Sequence, residues 1–278
     1  MLDIMKRLVP DKLYIQLMFL YHKRALVNFR EPKTFCEKQQ WLKLYNRRPE
    51  YTIMADKFLV REYVRQKIGD QFLVPLVGGP WLSTSDINLA TLPEQFVLKV
   101  SNGHGVEICT DKREFDFERA KTRLNKFMKR NLFWYSREWP YKDSKSVIIA
   151  EEFLQEDVID YKFYCFNGVP TYLFVITGRF SAHDGPYGDM FDMQGNHLMI
   201  RDVDFPNNPF GCPPLPKSFE QMKEIARVLS EGIPFVRIDL YEKNESPVFG
   251  EITFFDAGGF SNFDPPEFDL ELGRLIDL

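Results

Sequence analysis

Residues 236–260 read VRIDLYEKNESPVFGEITFFDAGGF. Apolar and polar side chains alternate, break at a polar turn, and alternate again, which is the pattern of strand, turn, strand. Arg237, Asp239 and Tyr241 fall on one face of the first strand, and Glu251, Thr253 and Phe255 on one face of the second. A hairpin symmetric about Glu245 sets Asp239 opposite Glu251. Like charges facing each other across strands are destabilising. A hard divalent cation removes that repulsion, and carboxylate oxygens are what Mg²⁺ prefers. Arg237 could grip a phosphate beside the pair with both arms of its guanidinium. The plainer alternative is two solvated acids at a sheet edge, and a one-residue slip would separate them.

Three earlier stretches bear on the same chemistry. In FVLKVSNGHGVEI (96–108), Lys99 shares a strand face with Val97, and a turn with two glycines follows. Backbone N–H groups of such a turn can converge on an anion beside the lysine. The alternative is a hairpin turn with a surface lysine, and the P-loop pattern is absent. In IIAEEFLQE (148–156), Glu151 and Glu152 end an apolar strand, where they could serve an adenine or stand exposed. Asp56-Lys57 opens a helix predicted to run to about Lys67, with Gly69 ending it.

Around these stretches the chain reads as α+β. Helical spacing is predicted over 3–28, with Leu13, Leu17, Leu20 and Tyr21 at three- and four-residue steps. Thr34 and Glu37 form a capping-box pattern opening a helix to about Tyr45. Strands are predicted at 72–77, 96–100, 105–110, 147–152, 161–166, 171–176, 234–241 and 248–255, and helices at 116–131 and 218–231. Asn167-Gly168 marks a tight hairpin. Gly78-Gly79-Pro80 and most of 181–217 read as loop.

At 278 residues the chain is long enough for more than one compact unit and a sizeable core. The net charge of −4 argues against a nucleic-acid partner. Its distribution is uneven, +7 over Met1–Arg48 and −8 over Asp239–Leu278. The basic part could gather an anionic substrate or simply be a solvated helical surface. Cys36, Cys109, Cys165 and Cys212 are far apart, as expected of reduced thiols in a cytoplasmic protein. His22, His104, His183 and His197 form no metal-binding pattern. No signal peptide is expected, and the apolar part of Leu13–Tyr21 is too short to span a bilayer. Peripheral contact of this segment with a membrane is the minor option.

In this order along the chain, PKTFCEKQQWLKLY (32–45), ADKFLVREYVRQKIGDQFLVPLVG (55–78), LPEQFVLKVSNGHG (92–105), AEEFL (150–154), DYKFYCFNG (160–168), RIDLY (237–241) and FGEITFFDAGGF (249–260) resemble ATP-grasp enzymes. The nearer resemblance is to the TupA-like ATP-grasp family of surface-polysaccharide gene clusters. It implies a nucleotide held between two antiparallel sheets flanked by helices. It implies a largely helical region with pre-grasp elements over 1–93, a small ATP-grasp subdomain over 94–153, and a C-terminal subdomain with the metal site over 154–278. By position, Lys57 and Lys99 would touch ATP phosphates under a loop of Ser101, Asn102, Gly103, His104 and Gly105. Glu151, Glu152, Phe153 and Leu154 would line the adenine. Asp239 and Glu251 would hold Mg²⁺, and Arg237 would sit near the transferred phosphate. Thr253 stands where many ATP-grasp enzymes have asparagine, a feature the TupA-like pattern shares. His104 stands where a serine is usual. Asp160, Lys162 and Arg179 are candidates for the substrate side.

The activity so implied is an ATP- and Mg²⁺-dependent carboxylate–amine ligase working through an acyl phosphate, with a glycan or small-molecule acid and an amine as substrates. The alternative is a glycosyltransferase or sugar phosphotransferase of polysaccharide assembly. The absence of any Ser/His/Asp or Cys/His arrangement agrees with chemistry that needs no nucleophilic side chain.

Overall fold

The computed structural model describes residues 7–155, 157–179 and 185–278. The first residues of the predicted 3–28 helix, and His183, lie outside that range. The chain forms two compact units, one of residues 48–156 and one joining residues up to 47 with 157–278. The helices of the first third are therefore divided: α1 (Asp11–Lys23) and α2 (Phe35–Tyr45) belong to the second unit, α3 (Glu50–Ala55) and α4 (Val60–Ile68) to the first.

The unit of residues 48–156 is built on a four-stranded antiparallel sheet. Its order is β1 (Leu76–Trp81), β4 (Ile148–Glu152), β2 (Phe96–Val100), β3 (Val106–Cys109). Strand β2 alternates as expected: Phe96, Leu98 and Val100 are fully buried. They pack with Ile148, Ala150, Cys109 and Leu124, the last from α5 (Phe117–Met128). Two expectations need correction here. Gly78-Gly79-Pro80 is not loop but part of β1, which starts later than the predicted 72–77. A proline can sit there because β1 is an edge strand, so its missing N–H costs the ladder nothing. The helix expected from Asp56 starts at Val60, because the Asp56 carboxylate accepts the N–H groups of Phe58 and Leu59 and holds an intervening turn.

The other unit carries a six-stranded antiparallel sheet. Its order is β11 (Ser246–Thr253), β10 (Phe235–Lys243), β5 (Asp160–Phe166), β6 (Val169–Thr177), β7 (Tyr187–Asp192), β8 (His197–Leu198). A short pair joins β9 (Arg201–Asp202) to β12 (Phe263–Asp264). The sheet has two unlike faces. Val236, Ile238 and Leu240 alternate with Phe163 and Cys165 on the face under α6 (Phe219–Ser230), an apolar layer that excludes water. The opposite face carries Arg237, Asp239, Lys162 and Tyr164, and at its end the Phe35 ring of α2 meets Phe235 at 4.7 Å. The capping box predicted for α2 is present in full, from Thr34 and Glu37. The chain's last helix, α7 (Glu267–Arg274), packs beside α2.

Most of the described part of 181–217 is loop, as expected, but strand β7 runs through it. Its sequence, YGDMFD, has the glycine and aspartates that usually argue against a strand. Gly188 and Asp189 have tertiary causes, while Asp192 accepts from the local turn at Gln194 and Asn196. A Cβ on Gly188 would lie 2.3 Å from the Phe174 ring, so only glycine fits. Asp189 is buried, but its carboxylate meets His197 Nε2 at 3.0 Å and the Asn208 N–H at 3.3 Å.

Candidate functional site

In the unit of residues 48–156, Lys99 and Glu151 project from adjacent strands on the face opposite the core. Lys99 Nζ lies 2.6 Å from Glu151 Oε2, and Arg61 Nη1 lies 3.4 Å from the other oxygen. Arg61 also donates to the Val74 carbonyl at 2.8 Å. One half-buried lysine and one arginine thus converge on a single buried carboxylate. Lys57 Nζ donates to the Gly103 carbonyl at 2.8 Å, tying the first lysine to the glycine turn.

That turn is held by its first two side chains. Ser101 Oγ donates to Asp56 at 2.7 Å and accepts from the Val147 N–H at 3.2 Å. Asn102 Nδ2 donates to Ser144 at 2.8 Å. Both residues are buried, while His104 is exposed. Gly103 has φ 145°, and a Cβ there would meet nothing within 4 Å. At Gly105 a Cβ would press on Val100 and Phe127 at 2.8 and 2.9 Å, so glycine lets the loop return against the core. The result is an anchored loop in which His104 is the exposed residue. At the end of β4, Glu152 and the following Phe153 line an open cavity of about 470 Å³ with Gln95, Thr110 and Arg113, and Leu154 follows half-buried.

In the other unit the hairpin at 236–253 has a geometry that symmetry about Glu245 does not predict. Its turn is the residue pair Asn244 and Glu245, with φ 52° and 61°, and Lys243 pairs with Ser246. Counting evenly from there, Asp239 would face Gly250, and Glu251 would point to the other side. A bulge intervenes. Leu240 pairs with Phe249, but Asp239 pairs with Glu251, and Gly250 is the extra residue. A Cβ on Gly250 would lie 2.9 Å from the Asp239 carbonyl oxygen, so glycine makes the bulge possible.

Around that pair the charges are densely connected. Arg237 grips Asp239 with both arms, Nε to Oδ1 and Nη2 to Oδ2, each at 2.7 Å. Lys162 donates to Asp239 Oδ2 at 2.5 Å and lies 3.5 Å from Asp160, which Arg179 meets at 2.9 Å. Arg237 also bonds Asp256 through Nη1, donates to Thr253 Oγ1 at 3.3 Å and lies 3.7 Å from Glu251. Asp256 in turn accepts from Tyr164 at 2.7 Å and Ser261 at 2.9 Å. Burial alone would lower the Arg237 pKa, but Asp239 and Asp256 override it and hold the guanidinium firmly charged. Tyr241 is pushed well above the usual phenol value, by burial first and then by Asp160, Glu251 and Asp239. Its hydroxyl therefore senses three acids from three strands. Among these acids Glu251 is the most accessible, with 35% of its side chain exposed.

The site thus brings together Arg237, Asp239, Glu251 and Thr253 with Asp160, Lys162 and Arg179. Sequence reasoning missed Asp256 and Tyr164, whose roles depend on long-range contacts. It also missed Lys43 and Gln40 of α2. Lys43 is fully buried and donates to the Gly258 carbonyl, while Gln40 donates to Gly259 at 2.7 Å. These bonds brace the loop that carries Asp256. Among the described residues no group of three or more His, Cys, Asp or Glu is arranged to hold a metal ion. Two carboxylates and a hydroxyl do suit Mg²⁺, which is commonly held by one or two carboxylates together with substrate phosphates and water.

Several solved structures align with the chain at low identity. An L-amino acid ligase from Bacillus licheniformis aligns with a TM-score of 0.49 and 18% identity, over 85% of this chain and 51% of that one. D-Alanine–D-alanine ligases align from Helicobacter pylori (0.45, 17%, 87% and 68%) and, as a complex with ATP, from Bacillus anthracis (0.41, 15%, 73% and 55%). The chain spans about half the length of the Bacillus enzymes. No curated protein matches it in sequence. The family match is of another order, running from residue 37 to residue 277 through both constellations, and on that extent the chain belongs to the TupA-like ATP-grasp family.

Proposed function

We propose that this protein is an ATP- and Mg²⁺-dependent carboxylate–amine ligase acting in the cytoplasm on a surface glycan or its precursor. The observation that carries the reading is the Gly250 bulge, which turns Glu251 to the same face as Asp239, with Arg237 bound between that pair and Asp256. Facing acids of this kind cost stability unless positive charge offsets them; Arg237 and Lys162 supply that charge mainly at Asp239, and the partly exposed Glu251 is left to share a cation. Family membership and the lysine-flanked glycine turn support the same reading.

In this reading Lys57 and Lys99 hold ATP phosphates below the 101–105 loop, and Glu151 to Leu154 line the adenine. Asp239, Glu251 and Thr253 hold magnesium, which when bound offsets charge on the phosphate oxygens. Arg237, locked by Asp239 and Asp256, presents a fixed positive charge toward the transferred phosphate. Asp160, Lys162 and Arg179 orient the acid substrate. A carboxylate oxygen attacks the γ-phosphorus and ADP leaves. The amine nitrogen then attacks the acyl carbon and phosphate departs, with loss of a proton from nitrogen, giving the amide. The fixed charges stabilise the transferring group without reorganisation.

The test is a thermal-shift and phosphate-release assay. ATP or ADP with Mg²⁺ should raise the melting temperature, UDP-sugars should not, and phosphate release should require both an acid and an amine. Asp239→Asn or Glu251→Gln should abolish Mg²⁺-dependent turnover in a folded protein. Stabilisation by UDP-sugars alone would replace the ligase with a glycosyltransferase.

A further inference from the structure

The stripe Leu13, Leu17, Leu20 and Tyr21 has the spacing of a core-facing helix surface, but in α1 it faces outward. These residues are 52%, 54%, 44% and 67% exposed. At 100° per residue they fall within an arc of about 100°. The buried residues of the helix, Ile15 and Phe19, lie on the opposite side. Leu8 and Leu26, just beyond its two ends, are exposed as well. A helix apolar on both faces needs a second apolar neighbour, since exposed patches of this kind mark interaction surfaces.

Charge identifies the neighbour. Residues 7–30 contain five basic side chains, Arg7, Lys12, Lys23, Arg24 and Arg30, and one acid, Asp11. That acid is bound to Arg47 at 2.7 Å, which neutralises it. Arg24, exposed, stands over the ring of Tyr21 in the stripe, while Lys12, also exposed, stands over Phe29 on the Phe19 side of the helix. His22 senses the same positive field: its pKa is lowered, by burial first and then by Lys23 and Lys43. Thirteen residues are too few to cross a bilayer, but leucines rimmed by cations suit a helix lying in the headgroup region. We propose that α1 docks this protein on an anionic lipid bilayer, with Leu13, Leu17, Leu20 and Tyr21 in the acyl boundary, Arg24 among the phosphates and the net positive charge of residues 7–30, Lys12 included, adding long-range attraction. This inference is independent of the ligase reading, because none of these residues belongs to the candidate site.

The experiment is flotation of the full chain with vesicles of equimolar phosphatidylglycerol and phosphatidylcholine, and with phosphatidylcholine alone. The wild type should float with the anionic vesicles only, less so at high salt. Leu13→Gln/Leu17→Gln removes apolar area at similar helix propensity and should lower the partition coefficient by about tenfold. Lys12→Glu/Arg24→Glu reverses two charges and should lower it by about tenfold or more. Should the glutamine variant lose its wild-type circular dichroism, the charge-reversal variant carries the test. Failure of the wild type to float, equal flotation with neutral vesicles, or wild-type partition in both variants overturns the proposal. So does sedimentation showing a dimer that the glutamine variant dissociates, which makes a second copy the occupant.

Discussion

Gly250→Ala tests the feature on which the metal pair depends. The new methyl group would lie 2.9 Å from the Asp239 carbonyl oxygen and 3.0 and 3.3 Å from the Tyr241 ring. The backbone oxygen offers little relief, since it belongs to an internal strand, and the Tyr241 ring is half-buried between its neighbours. Gly250 is not among the residues with positive φ, so alanine brings no dihedral strain, and it gains about 0.4–1 kcal/mol by restricting the unfolded chain. Overpacking of this kind costs about 1–3 kcal/mol. The expected net is a loss of about 1–2 kcal/mol, read as a lower urea midpoint at unchanged slope. Strain relieved by opening the bulge moves Glu251 away from Asp239. Each 1.4 kcal/mol that falls on the pair weakens Mg²⁺-dependent ADP binding about tenfold, measurable by calorimetry. A variant with wild-type midpoint and wild-type Mg·ADP affinity would refute the argument that glycine at the bulge sets the pair.

Three further outcomes are expected. Lys43→Met keeps the length of the stem but removes the donor to Gly258 and Gln40, and should cost about 1–3 kcal/mol in urea unfolding; no change would show that the brace on the Asp256 loop is dispensable. Burial, and the charge of Asp256, raise the Asp202 carboxyl to about 6. A raised folded value means that the folded state binds the extra proton, so stability falls as pH rises from about 4 to 6, by ~3 kcal/mol in all. Asp202→Asn should flatten that slope, and an unaltered pH profile of melting would remove Asp202 as its cause. Lys99→Ala should weaken ATP binding about tenfold, whereas Ser101→Ala should mainly cost stability, about 1–2 kcal/mol, because it strips the bonds to Asp56 and Val147; equal ATP affinity in the lysine variant would favour a surface role for Lys99.

Much of this molecule is written in short-range pattern. Period-two alternation in 96–100 and 235–241 reflects a sheet with one apolar face and one that carries charged side chains, which any register of the right parity preserves. The α2 capping box and the Asn167-Gly168 turn are local chemistry, satisfied by atoms a few residues apart. The ordered motifs from residue 37 onward carry the family.

Other features depended on distant contacts. Gly250 looks like any strand glycine until the two-residue turn at Asn244-Glu245 is known, since only then does Asp239 need a bulge to meet Glu251. Strand β7 exists because Phe174 fills the space above Gly188 and because His197 and Asn208 satisfy Asp189. Asp256 becomes a partner of Arg237 and Tyr164 only when α2 supplies Lys43 and Gln40 to fix its loop. The spacing of Leu13, Leu17, Leu20 and Tyr21 made a helix, but periodicity carries no sign, and only packing of Ile15 and Phe19 turned that stripe to the outside. Local pattern determines which residues share a face; what that face meets is set by residues far away in the chain.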